Sequence, residues 1–143
     1  MTDVPARRGF DYAPSRESTE IVRLEPEYGL YVGGRFVEPR SGERFATIDP
    51  STEEPLAQIA QAGAEDVDAA VEAARDAFAD GWSTIAPSER AKYLFRIARI
   101  LQERAREFAV LESLDGGKPI KEARDVDLPL AAAHFFYLSL IHI

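Results

Sequence analysis

Lys118 stands between Gly116-Gly117 and Pro119, three residues after Asp115, with Asp125 and Asp127 close behind and His134 beside Phe135 and Phe136. Each of these residue types can do chemistry. A desolvated lysine serves as a base or an anion anchor, paired carboxylates exchange protons or hold metals, and an imidazole ligates a metal or shuttles a proton. Their spacing favours quieter roles. A lysine beside Gly-Gly and Pro suits the C-terminal end of a helix, where its charge opposes the exposed carbonyls, or a surface contact. Asp125 and Asp127 are split around a helix face, so capping accounts for them more simply than a shared proton. His134 has no second ligand nearby and reads as a packed histidine on an apolar helix. The chain has no cysteine, which excludes disulfides, thiolate metal sites and a cysteine nucleophile within these residues.

The elements that must carry these residues follow from periodicity. Gly33-Gly34 would need a following helix to act as a phosphate loop. Leu30-Tyr31-Val32 and Arg35-Phe36-Val37 instead flank it as two short strands around a turn. Phe45 to Ile48 and Leu56 to Ala60 are further strand candidates, parted by Asp49-Pro50-Ser51-Thr52. Val67, Val71, Ala74 and Phe78 share one face of a predicted helix, with Glu65 and Asp66 in its first turn, Gly81 as its stop and Trp82 as a packing anchor. From Pro87 the spacing of Leu94, Ile97, Leu101, Ala105 and Phe108 predicts one uninterrupted helix of about 28 residues, roughly 42 Å. Gly116-Gly117 and Pro119 end it. Asp127 is expected to cap a third helix with Pro129 in its opening turn.

Composition narrows the partners. At 143 residues, 45% hydrophobic and 29% charged, the chain has the balance of one soluble globular domain. A formal net charge of -8 argues against nucleic acid, whose binding needs clustered Lys and Arg. The opening segment is polar and broken by Pro5, with no apolar core of a secretory signal, so the cytoplasm is the expected compartment. Leu128 to Ile143 is interrupted by Pro129, His134 and His142 and falls short of the ~20 residues that span a bilayer, so no membrane partner is expected. Residues 1–27 mix prolines, serines and charges without periodicity and read as a flexible extension.

Four motifs in order resemble the aldehyde dehydrogenase superfamily: Tyr31-Val32-Gly33-Gly34-Arg35-Phe36-Val37; Thr47-Ile48-Asp49-Pro50-Ser51-Thr52-Glu53-Glu54; Asp66 to Val71 with Ala73-Ala74-Arg75 and Phe78; and Leu111 to Pro119 leading to His134-Phe135-Phe136-Tyr137. Asp49 stands where the family usually has Asn. The resemblance implies an α/β fold, the N-terminal part of the family's cofactor-binding domain, with short antiparallel strands followed by amphipathic helices and truncated before the nucleotide-binding parallel sheet. It implies oxidation of an aldehyde to a carboxylic acid by NAD or NADP through a cysteine thiohemiacetal in the full-length protein, with homo-oligomer partners. It places no catalytic or cofactor-binding residue in this chain, for which alone no cofactor and no activity are expected. It implies part of a monovalent-cation site at Thr47, Ile48 and Asp115, whose oxygens are suitable hard ligands.

The family usually follows its aromatic cluster with Ala-Gly-Trp, but here Tyr137 leads into Leu138-Ser139-Leu140-Ile141-His142-Ile143. That hexapeptide translates CTG TCT CTT ATA CAC ATC, which matches a transposase mosaic-end adapter. Residues 28–137 are therefore expected to be the family segment and 138–143 a non-native tail. A different class of function, a non-catalytic module that binds a partner through exposed apolar helix faces, is the alternative.

Overall fold

A computed structural model of the chain describes residues 18–141. Residues 1–17 of the expected extension, and His142 and Ile143 of the expected tail, lie outside the described residues. After a short helical turn at Thr19–Ile21 come five strands: β1 (Glu27–Tyr28), β2 (Leu30–Val32), β3 (Arg35–Val37), β4 (Arg44–Ile48) and β5 (Pro55–Ala60). In the β2–β3 hairpin Val32 stands opposite Arg35, leaving Gly33 and Gly34 as a two-residue turn with φ of +59° and +82°. Both positions are left-handed, the geometry that matches the twist of the flanking strands and that glycine adopts without cost.

β4 and β5 pair antiparallel, and β1 lies beside β5 to give the order β1-β5-β4. The β1–β5 pair is parallel, unlike the all-antiparallel arrangement expected. Two residues are too short a strand for any sequence pattern to mark, and its position is set by contacts made elsewhere. Gln58 donates its N–H to the Pro26 carbonyl at 2.9 Å. The half-buried Arg44 guanidinium donates to the Tyr28 carbonyl at 3.0 Å and pairs with Glu38 at 2.6 Å and Glu27 at 3.7 Å.

Asp49 closes the β4–β5 turn. Its buried carboxylate accepts the Ser51 N–H and the Ser51 hydroxyl, both at 2.7 Å, while its backbone carbonyl accepts Glu53 N–H at 2.8 Å. An aspartate at the family's usual Asn position thus makes the same kind of local turn contact. The Ser51 hydroxyl and, next, the Ser51 amide hold the Asp49 carboxyl below its ordinary value.

Four helices and one short helical turn follow. α1 (Ala64–Ala77) starts at Gly63, whose N–H is accepted by Asp66 at 3.0 Å. The same carboxylate accepts the Arg40 N–H at 3.2 Å, so Asp66 is buried and ties the strand region to α1, beyond the dipole role its position suggested. Past α1 a wide turn over Phe78–Trp82 ends where Gly81 takes φ of +131°, as the sequence predicted. The long helix is interrupted. α2 (Pro87–Glu103) and α3 (Ala105–Gly116) are separated at Arg104, whose ψ of 17° leaves the helical range while the flanking helical hydrogen bonds persist. Arg104 pairs with Glu107 and lies 5.3 Å from the Phe108 ring centroid; good helix formers surround it, so periodicity gives no sign of the bend.

α4 (Ile120–Glu122), a wide turn over Ala123–Asp127 and α5 (Leu128–Ile141) form one run. Asp127 is therefore not the expected cap. Pro129 has no N–H to give a preceding carbonyl, and the wide turn just before it accommodates that loss.

Small residues make the helix contacts. α2 packs on α5 with Ala91, Ala98, Ala132 and Ser139 buried and Phe95 edge-on to Phe136 at 5.0 Å. Ala109, Ala123 and Leu128 form a second cluster under Leu101, Phe108 and Ile120. Among the described residues no large side chain is fully buried. The α1 stripe stays open, with Val67 and Phe78 53% and 58% exposed. His134 is exposed rather than packed, because α5 is apolar around its circumference and its spacing marks no inner face. Trp82 is 42% exposed and packs only in part, tilted against Tyr93 at 5.6 Å.

Two outcomes are predicted. Removing the hydroxyl with Ser51→Ala should raise the Asp49 pKa toward its ordinary 3.8. Because the folded value is depressed, the turn's contribution is present above the unfolded value and lost as pH falls through the folded one. Carboxyl-carbon NMR titration of the full-length protein carrying this segment checks this, and an unchanged Asp49 midpoint would contradict it. With a core built mainly of alanine, the isolated chain should show helix by far-UV circular dichroism without a sharp near-UV melting transition. Coincident sharp transitions in a monomer would show a self-sufficient domain.

Candidate functional site

The β4–β5 register shifts between Thr47 and Ile48: Thr47 faces Ala57 but Ile48 faces Pro55, so Leu56 has no opposite residue. Such an irregularity bends a strand end and re-aims its side chains. The Thr47 hydroxyl meets the Asp115 carboxylate, donating a hydrogen bond across 68 residues of sequence. Asp115 itself is placed by the end of α3. Gly117 is left-handed, with φ of +65°, and its N–H returns to the Ser113 carbonyl at 3.0 Å. A Cβ on Gly117 would stand 3.0 Å from Cβ of Pro50, so glycine at this position also lets the β4–β5 turn close on the helix end.

Lys118 follows in the same turn. Its backbone carbonyl accepts the Ser113 hydroxyl at 2.7 Å, and its ammonium pairs with Asp127 and, at 3.6 Å, with Glu112. The Asp127 hydrogen bond is the main cause that lifts Lys118 above the usual lysine value, so it is a fixed cation rather than a base. Asp125 makes a different contact, with the Arg124 guanidinium at 2.7 Å, which holds its carboxyl below the ordinary range. The two aspartates therefore serve separate ion pairs. Beside this junction lies an open apolar cavity of about 620 Å³, lined by Leu24, Tyr28, Ile59, Phe108 and Leu128, with Asp115 and Asp127 also in its wall.

Of the three residues in the expected cation site, Thr47 and Asp115 are in contact and Ile48 is next along β4 with an exposed side chain, so only its backbone carbonyl would serve as a ligand. Hydroxyl, carbonyl and carboxylate oxygens form a donor set that fits a hard cation and does not suit a soft one. Among the described residues no group of three or more histidines, aspartates and glutamates is placed to hold a metal ion. The roles of Pro50, Asp66 and the Lys118–Asp127 pair were not read from the sequence. The Gly117-Lys118-Pro119 run was the available signal, since a glycine required at a helix end also permits a close neighbour.

A profile of the aldehyde dehydrogenase family matches residues 36–141. The acetaldehyde dehydrogenase of Pseudomonas aeruginosa is 38% identical over 128 residues, which is 90% of this chain and 25% of that protein. The fluoroacetaldehyde dehydrogenase of Streptantibioticus cattleyicolor is 43% identical over 119 residues, 83% of this chain and 23% of that protein. Among solved structures, the indole-3-acetaldehyde dehydrogenase of P. syringae with NAD+ and IAA superposes with a TM-score of 0.79 at 36% identity, covering 85% of this chain and 24% of its own. The chain thus spans about a quarter of the length of the relatives it matches. With the profile running through the β3 strand, the Thr47 turn, the Asp115 helix end and α5, the chain belongs to the aldehyde dehydrogenase family.

Proposed function

We propose that this chain is the N-terminal segment of an NAD(P)-dependent aldehyde dehydrogenase whose whole length oxidises an aldehyde to a carboxylic acid, and that the 143 residues alone are inactive. The observation that carries this reading is a family match over most of a cysteine-free chain that spans about a quarter of its relatives. An NAD+ complex among the similar structures supports the cofactor class. The Gly33-Gly34 turn leads into a strand, so no NAD or NADP contact is assigned to it. The segment stops short of the family's nucleotide-binding sheet, and its contribution is structural, with Thr47, Ile48 and Asp115 holding part of a monovalent-cation site. The full-length protein is homo-oligomeric and cytoplasmic and binds neither nucleic acid nor membrane. No helix among the described residues is long and apolar enough to cross a membrane.

The open face of α1 and the exposed Tyr137 and Leu140 of α5 favour a second reading, a module that docks a partner protein on these apolar surfaces.

Sequencing the source locus from unligated DNA beyond the Tyr137 codon, then assaying both lengths for cofactor reduction across an aldehyde panel, separates the two. The dehydrogenase reading expects the native frame to leave Leu138 to Ile143 behind and encode a later cysteine, with reduction only by the longer protein. Reduction by the 143-residue chain above a heat-killed control would contradict its inactivity. A genomic stop after Ile143 would favour the docking module.

A further inference from the structure

Asp115 is the one aspartate of α3 and lies in its last turn, where a helix has lost its hydrogen-bonding frame and ordinarily frays. What keeps its carboxylate on Thr47 is the turn over residues 116–119, and that turn is held at three points. Gly117 returns its N–H to Ser113 at 3.0 Å. The Ser113 hydroxyl reaches forward to the Lys118 carbonyl at 2.7 Å. The Lys118 ammonium crosses to Asp127 just before α5 while also facing Glu112 one turn back on α3. Pro50 closes the turn from the sheet side, so near that a Cβ at 117 would stand 3.0 Å from its own Cβ.

We infer that Lys118 is a positioning residue for the Thr47–Asp115 oxygen pair: its ammonium, shared between Glu112 and Asp127, fixes the turn that holds Asp115 in place for a hard monovalent cation. This rests on the cation reading proposed above. The charge is needed as well as the length of the side chain, because one atom of the Asp127 carboxylate is buried and has this ammonium as its charge partner. A neutral side chain at 118 strands that carboxylate and frees the turn. Residues that orient metal ligands without touching the metal are known to matter to affinity on the order of 10–100-fold.

The test uses the full-length protein carrying this segment. Its melting temperature is followed during titration with KCl, at ionic strength held constant with choline chloride, for wild type, Lys118→Met and Lys118→Arg. Amide hydrogen exchange at Gly117 is measured in choline alone. Wild type should gain stability with potassium. K118M should raise the half-saturating concentration about tenfold and speed exchange at Gly117, and K118R should stay close to wild type in both. Potassium saturation of K118M at the wild-type concentration would overturn the inference while leaving the cation site standing. Absence of any potassium response in wild type would end the cation reading, and the exchange data then decide whether Lys118 fixes the turn: unchanged protection of Gly117 in K118M overturns that too. If K118M does not fold, Asp127→Asn probes the same contact from its other partner, with the same two readouts and the same expected directions.

Discussion

Sheet and helices are joined where Pro50 closes on Gly117 and Thr47 meets Asp115, a contact between segments 68 residues apart. Closing a loop of that length costs conformational entropy that grows only slowly with the number of residues, and apolar contact along the junction has to offset it. Leu24, Tyr28 and Ile59 from the strand region and Phe108, Leu111 and Leu128 from the helices line the open cavity beside this junction. Two local devices make the meeting possible. The register shift after Thr47 turns the end of β4, and the left-handed Gly117 ends α3 without a side chain in the way of Pro50. Each is a departure from regular structure, and both fall at the candidate site, where backbone irregularities are commonly found.

The rest of the packing is shallow by comparison. Alanines and a serine let α2 and α5 approach closely, yet they bury little apolar surface each, and the larger side chains stay outside. Tyr137 and Leu140 on α5, Val67 and Val71 on α1, and Phe78 in the turn after it remain open to a degree that a free-standing domain rarely tolerates. α5 is apolar on every side, the pattern of a helix designed to be surrounded. That distribution agrees with a segment representing about a quarter of its relatives.

Much of the architecture was legible because it obeys short-range rules. Two glycines between alternating residues gave the β2–β3 turn, and the breaks at Gly81 and Gly117 came from the same reasoning. Family resemblance added what spacing could not, bringing Thr47 and Asp115 to one place although nothing local relates them. The failures share a cause. The two-residue β1, the bend at Arg104 and the outward His134 depend on tertiary neighbours or on side-chain pairing, and a helix with no polar face offers no pattern from which to judge which residues point inward. Asp127 was misread because a cap and an ion-pair partner look alike in sequence; only the placement of Lys118 beside it tells them apart.

The acidic composition is used unevenly, and that unevenness singles out Asp115. Asp49 and Asp66 spend their oxygens on backbone amides and a serine, which stabilises the turn and the start of α1. Glu107, Asp125 and Asp127 face guanidinium or ammonium groups. Asp115 receives a neutral hydroxyl from Thr47, and a carboxylate has about four acceptor positions. Its capacity is therefore larger than its occupied share, and its charge is not cancelled by a paired cation in its contact with Thr47. A carboxylate held still, with lone pairs to spare and hard oxygens beside it, suits a weakly bound monovalent ion, whereas the buried Asp66 already gives its oxygens to the Arg40 and Gly63 amides.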